Sequence, residues 1–187
     1  MHKQYKSILT LAPTAALLLL AATSHVQAAT NGQITITANV VAATCDVTLS
    51  TNNLDLGNYT PSQFISVAQP ITSSVKNFTV GLSNCDVPMA PGHTANLVVS
   101  GPTLGGNPNI FNASGTNTGI MLNQVATPST HISTGQKLQL AVAGATPSAA
   151  DFNNKVLTMQ AGLAATSTTG ISTGSVSAPI LFSFAYN

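Results

Sequence analysis

The amino-acid sequence predicts an all-β chain folded as one sandwich, and three observations carry that reading. Past residue 28, apolar and polar residues alternate with period 2 over many short stretches, the pattern of a strand with one buried face. Thr, Val, Ile, Ser, Asn and Gly dominate those stretches, and almost no segment sets good helix formers at a 3.6-residue spacing. The alternation is punctuated at 60–62, 88–92, 101–109 and 146–148 by clusters built on Pro or Gly, which are turn signals. Short strands so spaced imply a sandwich, and a chain of 187 residues with no internal repeat fits one ordinary domain.

Residues 1–28 stand apart from this pattern. Lys3 and Lys6 precede an apolar block over 8–22 that contains Pro13, and Val26-Gln27-Ala28 follows with small or branched side chains at the cleavage positions. This is a signal-peptide layout, with cleavage expected after Ala28. A retained membrane anchor is the alternative. The block is shorter than the roughly 20 residues that cross a bilayer, no charged stop sequence follows it, and no later stretch is long and apolar enough to span.

Beyond the leader, strands are expected at 33–41, 45–49, 54–57, 76–83, 96–100, 119–123, 137–142, 155–164 and 178–186, each from period-2 alternation or a short apolar run. The first of these puts Gly32, Ile34, Ile36, Ala38 and Val40 on a common side. The last puts Ile180, Phe182, Phe184 and Tyr186 on one face, and Pro179, which lacks an amide hydrogen, suits the start of a strand or a sheet edge. Residues 149–154 can form a helical turn. The Ser/Thr/Gly tract 166–177 is too short to link two domains.

Cys45 and Cys85 are the two cysteines. In an exported chain without CxxC or Cys/His ligand spacing, a disulfide is the default expectation. A catalytic thiol would need a Lys, Arg or His close by to lower its pKa, and neither cysteine has one near in sequence.

Charge narrows the function classes. Only 5% of residues are charged; the cations are all lysines, and the four acids, Asp46, Asp55, Asp86 and Asp151, are scattered. No basic patch exists for a phosphate backbone, so nucleic acid is not an expected partner. An enzyme would have to find its acid, base or metal ligands among very few groups. His93 and His131 lack the i, i+2 or i, i+4 partners of a metal site and read as exposed loop histidines. The Gly105-Gly106 loop lacks the Lys-Ser/Thr of a phosphate loop, and nothing resembles a nucleophile elbow. No catalytic residue, cofactor or metal ligand is expected.

Four short patterns occur in order around the cysteine pair: Gly32-x-Ile34-x-Ile36-x-Ala38-x-Val40-Val41-x-Ala43-x-Cys45, then Leu54-Asp55-Leu56-Gly57, then Phe78-Thr79-Val80-x-Leu82-x-Asn84-Cys85-Asp86, then Gly174 with a penultimate Tyr186. On these residues the sequence resembles the pilin subunits of chaperone-usher fimbriae, the type 1 and P pili of Gram-negative bacteria. The resemblance implies an incomplete immunoglobulin-like β-sandwich that lacks its seventh strand and carries a hydrophobic groove beside the C-terminal strand. It implies a periplasmic chaperone, an outer-membrane usher and neighbouring pilin subunits as partners, and a route through the periplasm to a surface fimbrium. A strand from the next subunit fills the groove by strand addition.

Carried onto this sequence, the resemblance divides the chain into a signal peptide (1–28), a donor-strand extension (29–38) and a pilin domain (39–187). The donor face is Thr30, Gly32, Ile34, Ile36 and Ala38. Gly32 stands where the family needs a side chain no larger than hydrogen, whereas Ile36 and Ala38 stand where it often has an aromatic residue and Gly. Gly174, Ile180, Phe182, Phe184, Tyr186 and Asn187 would form the C-terminal groove strand and the end that chaperones recognise. The implied function is a structural fimbrial subunit that supports adhesion. A minor, adaptor or receptor-binding tip subunit is the alternative, although tip adhesins of the family usually carry a lectin domain ahead of the pilin domain. A third reading is a self-complete sandwich with 33–41 paired in its own sheet.

Overall fold

The computed structural model describes residues 37–38, 44–114 and 116–187. The chain divides into two units, residues 1–40 and 41–187. In the first, Thr37 and Ala38 are both exposed. The expected leader, the donor residues Thr30, Gly32, Ile34 and Ile36, and most of the expected strand 33–41 lie outside the described residues.

The second unit is built from strands β1 (Asp46–Leu49), β2 (Lys76–Ser83), β3 (Thr94–Ser100), β4 (Thr103–Leu104), β5 (Asn107–Phe111), β6 (Thr118–Gln124), β7 (Thr127–His131), β8 (Lys137–Val142), β9 (Val156–Ala165) and β10 (Leu181–Tyr186). The larger sheet runs β1-β2-β9-β6-β5-β4, with β7 added to the edge of β6, and the smaller runs β10-β3-β8. Every pairing is antiparallel. The core between the sheets takes Val80 and Leu82 from β2, Leu97 and Val99 from β3, Leu122 from β6, Leu138 from β8, Met159 from β9 and Phe182 from β10. These are alternate positions of each strand, as a period of two requires. Each such side chain is worth about 1.5–3 kcal/mol when removed from water.

Several expected elements differ in the structure. Residues 54–57 form no strand: the Asp55 carboxylate accepts the Gly57 N–H at 2.9 Å and Gly57 sits at φ +102°, a local turn that competes with the extended ladder. The Pro/Gly-rich stretch 101–109 holds β4 and the start of β5, joined through Gly105-Gly106 with Gly106 at φ +77°. A two-residue Gly-Gly connection is a hairpin signal as well as a breaker. The polar β7 is likewise a strand, held on the edge of β6. The helical turn at 149–154 is a short 3-10 turn, Ala149–Asp151.

Neither histidine is an exposed loop residue. His93 is half-buried against Tyr186, and His131 ends β7 with its Nδ1 buried and unpartnered.

Candidate functional site: an apolar groove beside the C-terminal strand

Among the described residues, β10 pairs with β3 alone, and its other edge has no described strand beside it. Next to that edge lies a groove of about 1060 Å³. Its floor is the inner face of the larger sheet, where Phe78 of β2, Ile120 and Leu122 of β6, and Ala161 and Leu163 of β9 converge. Ile120 stands opposite Leu163, and Leu122 opposite Ala161. Cross-strand neighbours on one face present a continuous apolar surface. Asp55 is the one side chain charged at neutral pH among the groove's described lining residues, and the apolar floor is flanked by rims that carry Asn, Ser and Thr.

Two irregular segments form the rims. Residues 51–61 follow β1, with Leu54 and Leu56 packed toward the core. Lys76 Nζ donates to the Asp55 carbonyl at 2.6 Å and fastens this rim to β2. The Tyr59 hydroxyl lies 2.8 Å from the Leu56 carbonyl and 3.1 Å from that of Ser73. The second rim, residues 171–180, leads into β10 and is tied down by Ser172 N–H to Asn117 Oδ1 at 2.9 Å and Ala113 N–H to the Ser177 carbonyl at 2.7 Å. Gly101 admits this rim: a Cβ there would lie 2.8 Å from the Pro179 carbonyl oxygen.

The C-terminal residues singled out from the sequence separate into two groups. Gly174, at φ +140° and exposed, lines the groove together with Ile180 and Phe182. Phe182 is 9% exposed, with its ring edge-on to Phe78 at 5.9 Å. Phe184 and Tyr186 are not among the lining residues and pack instead on the core. The Tyr186 hydroxyl accepts the Met89 N–H at 2.6 Å and lies 2.5 Å from His93 Nδ1. Asn187 exchanges backbone hydrogen bonds with Thr94 at 2.9 and 3.1 Å and places Oδ1 3.4 Å from Lys137 Nζ. Of the donor-face residues only Ala38 is described, and it is exposed.

The cysteines are joined. Cys45 and Cys85 form a disulfide across 40 positions, next to the register pair Asp46 and Ser83 that begins the β1–β2 ladder. The bond closes the edge strand onto its neighbour.

Sequence reasoning missed the strap that closes the edge of β9. Segment 68–71 covers the end of the β9 edge that β2 leaves free, with Ala68 N–H to the Ala165 carbonyl and Ile71 N–H to the Leu163 carbonyl, both at 2.8 Å. The fully buried Ser74 accepts the Leu163 N–H at 2.8 Å and donates to the Ile71 carbonyl at 2.6 Å. A lone serine in a Ser-rich chain carries no local signal of that role. Among the described residues, no cluster of three or more His, Cys, Asp or Glu side chains is placed to hold a metal, and no helix is long and apolar enough to cross a membrane.

Comparison with known proteins agrees with this architecture. The sandwich superposes on the P pilus rod subunit PapA with a TM-score of 0.55, at 18% identity over 76% of this chain and 99% of the other. A solved chaperone-usher pilus, reported in connection with rod uncoiling, gives 0.53 at 21% identity over 84% and 96%. The antigen and type I fimbria protein of Burkholderia pseudomallei gives 0.51 at 18% identity over 77% and 99%. The expected immunoglobulin-like all-β fold is therefore the fold of this chain. In sequence, the chain is 36% identical to a type-1 fimbrial protein subunit of Serratia marcescens over 106 residues; the match covers 56% of this chain and about half, 54%, of the relative. The family model described as Fimbrial protein matches residues 34–187, and with the open groove beside the C-terminal strand this places the chain in the fimbrial protein family.

Proposed function

We propose that this protein is a structural subunit of a bacterial surface fimbria and that it polymerises by strand exchange, its groove receiving residues 29–38 of another copy. One observation carries the reading: a groove with an apolar floor lies alongside a C-terminal strand that, among the described residues, is paired on one edge only. An added strand would satisfy the ladder groups of β10 and bury the floor. Ile34 and Ile36, on one face of the donor segment, would each contribute about 1.5–3 kcal/mol on burial, and the ladder hydrogen bonds would add about 1 kcal/mol each. That is enough to join subunits without a covalent link.

The same exposed edge and floor would aggregate if left empty. A periplasmic chaperone covering the groove and an outer-membrane usher exchanging that cover for a donor arm fit this requirement. The signal-peptide layout of residues 1–28 supplies the export step, and the end location is the cell-surface fimbrium. No catalytic role is assigned.

The test is a subunit lacking residues 29–37, mixed with a peptide of residues 30–40. At a peptide concentration about 100-fold above Kd, binding should add about 2.7 kcal/mol, or roughly 5–10 °C in Tm for a domain of this size. Assembly of the deleted subunit should stop at the step where its arm is needed. An unchanged Tm together with fibres of normal length would refute the donor role.

A further inference from the structure

The polypeptide enters the sandwich at a fixed point. Thr44 donates its N–H and its hydroxyl to Asp86 Oδ2 at 3.1 and 2.9 Å, and the Asp86 N–H returns to the Thr44 carbonyl at 2.9 Å. The Cys45–Cys85 bond locks the next position. Thr44 is therefore held beside the start of loop 86–92.

That loop is held rigidly yet presents apolar side chains to water. Pro88 is buried. The Met89 N–H is bound by the Tyr186 hydroxyl, and the Gly92 N–H by the Ala143 carbonyl at 3.0 Å. Tyr186 is itself fixed edge-on between His93 and Phe152. Val87 nevertheless remains 57% exposed and Met89 68% exposed. A loop pinned this firmly does not need two solvent-facing apolar side chains for its own stability.

We infer that loop 86–92 is a contact surface for a second copy of this chain, the copy whose groove receives the arm, and that Val87 and Met89 pack against the mouth of that groove. This rests on the strand-exchange reading. The connection supplies the geometric warrant: with the arm seated as far as Ala38, six Cα steps lead to Thr44, and an extended chain covers at most about 3.3–3.6 Å per step. The mouth of the neighbour's groove then lies within about 20 Å of Thr44, and loop 86–92 is the apolar surface adjoining that residue. The parts of the neighbour within reach are its rims, 51–61 and 171–180. Tyr186 acts here as a positioning residue, since its hydroxyl sets the backbone from which Met89 projects.

The test uses assembled fibres of the full chain carrying a photoreactive p-benzoylphenylalanine at position 89. Irradiation should yield dimers, and mass spectrometry should place the crosslink in residues 51–61 or 171–180 of the neighbour. Fibres that form but give no crosslink from position 89, or give it elsewhere, overturn the contact while leaving the donor arm in place. Failure of the unsubstituted protein to assemble removes the strand-exchange reading and this contact with it. A second variant, Val87→Ser with Met89→Ser, should bind the 30–40 peptide in its own groove as the parent does, while its fibres dissociate in denaturant about ten- to a hundredfold faster. Unchanged dissociation would also overturn the proposal.

Discussion

Replacing Ile120 by Asn places a polar group in the middle of the groove floor, and its effect on strand capture can be worked from the structure. Ile120 is half-buried, stands opposite Leu163 on β9 and Phe111 on β5, and faces the groove. While the groove is empty, an amide there remains hydrated and the subunit loses only part of one side chain's burial. Once a strand is seated, that water is displaced. The complex forfeits about 1.5–3 kcal/mol of apolar contact and leaves an amide buried without a partner, which costs about 1–3 kcal/mol more. The total of about 2.5–6 kcal/mol corresponds to roughly two to four powers of ten in affinity. The assay is fluorescence anisotropy of a labelled 30–40 peptide titrated with the subunit lacking residues 29–37, with far-UV circular dichroism to establish that the variant folds. Ile120→Val, which removes one methylene, should weaken binding by less than about tenfold. A folded Ile120→Asn subunit that binds the peptide within about threefold of the parent would refute the assignment of this surface as the strand's floor.

Other consequences are open to direct measurement. Changing Cys45 and Cys85 together to Ser reopens a 40-residue separation and should lower stability by about 4 kcal/mol on the chain-entropy model, read as a shift in the urea midpoint. Gly162→Ala puts a Cβ 2.6 Å from Pro70 Cβ; overpacking of about 1–3 kcal/mol should loosen strap 68–71, seen as faster amide exchange at Ala68 and Ile71. Tyr186→Phe deprives the Met89 N–H and His93 Nδ1 of a partner, with a cost of about 1–3 kcal/mol and faster exchange at Met89.

The pH profile should carry two signatures. Backbone N–H donors of Ser148 and Gly144 hold the Asp151 carboxyl below its ordinary 3.8. That stabilisation is complete above pH 3.8 and is lost as pH falls through the lower folded value, so Asp151→Asn should flatten this acid limb. Burial pushes His131 below 6.5. The unfolded chain then binds the proton more tightly, stability declines as pH drops below 6.5 toward the folded value, and His131→Leu should abolish that slope in urea titrations between pH 5 and 8.

Much of the fold was legible in the chain because strand alternation is a local property. Lys76–Ser83 and Lys137–Val142 fall at the positions the pattern predicts, since Phe78, Val80 and Leu82 in the one and Leu138 and Leu140 in the other alternate with smaller or polar residues. β4, β5 and β7 escaped notice because Gly105-Gly106, Pro108 and the polar run Thr127–His131 mimic loop composition. β4 and β7 lie at edges, and Pro108 is the second residue of β5, where the ladder to β4 shifts register, positions that tolerate such residues where a regular central ladder does not. The groove was legible only in part. Ile180 and Phe182 line it, whereas Phe184 and Tyr186, on the same alternating face, lie further along β10 and meet Phe152 and loop 86–92 instead. Periodicity assigns a side chain to a face and says nothing about what stands opposite it.

The sequence by itself determined the all-β class, the amphipathic C-terminal strand, the pairing of its two cysteines and its resemblance to fimbrial subunits. Each follows from side-chain period, residue type or short motif, and these are carried within a few consecutive positions. Tertiary structure alone decided that 51–61 and 171–180 are rims and not strands, and that Ser74 and segment 68–71 close the free end of the β9 edge. Those outcomes depend on which strands meet across separations of tens of residues. That choice is made by the collective burial of both sheets and by the closure of the loops between them, so no single stretch of sequence encodes it.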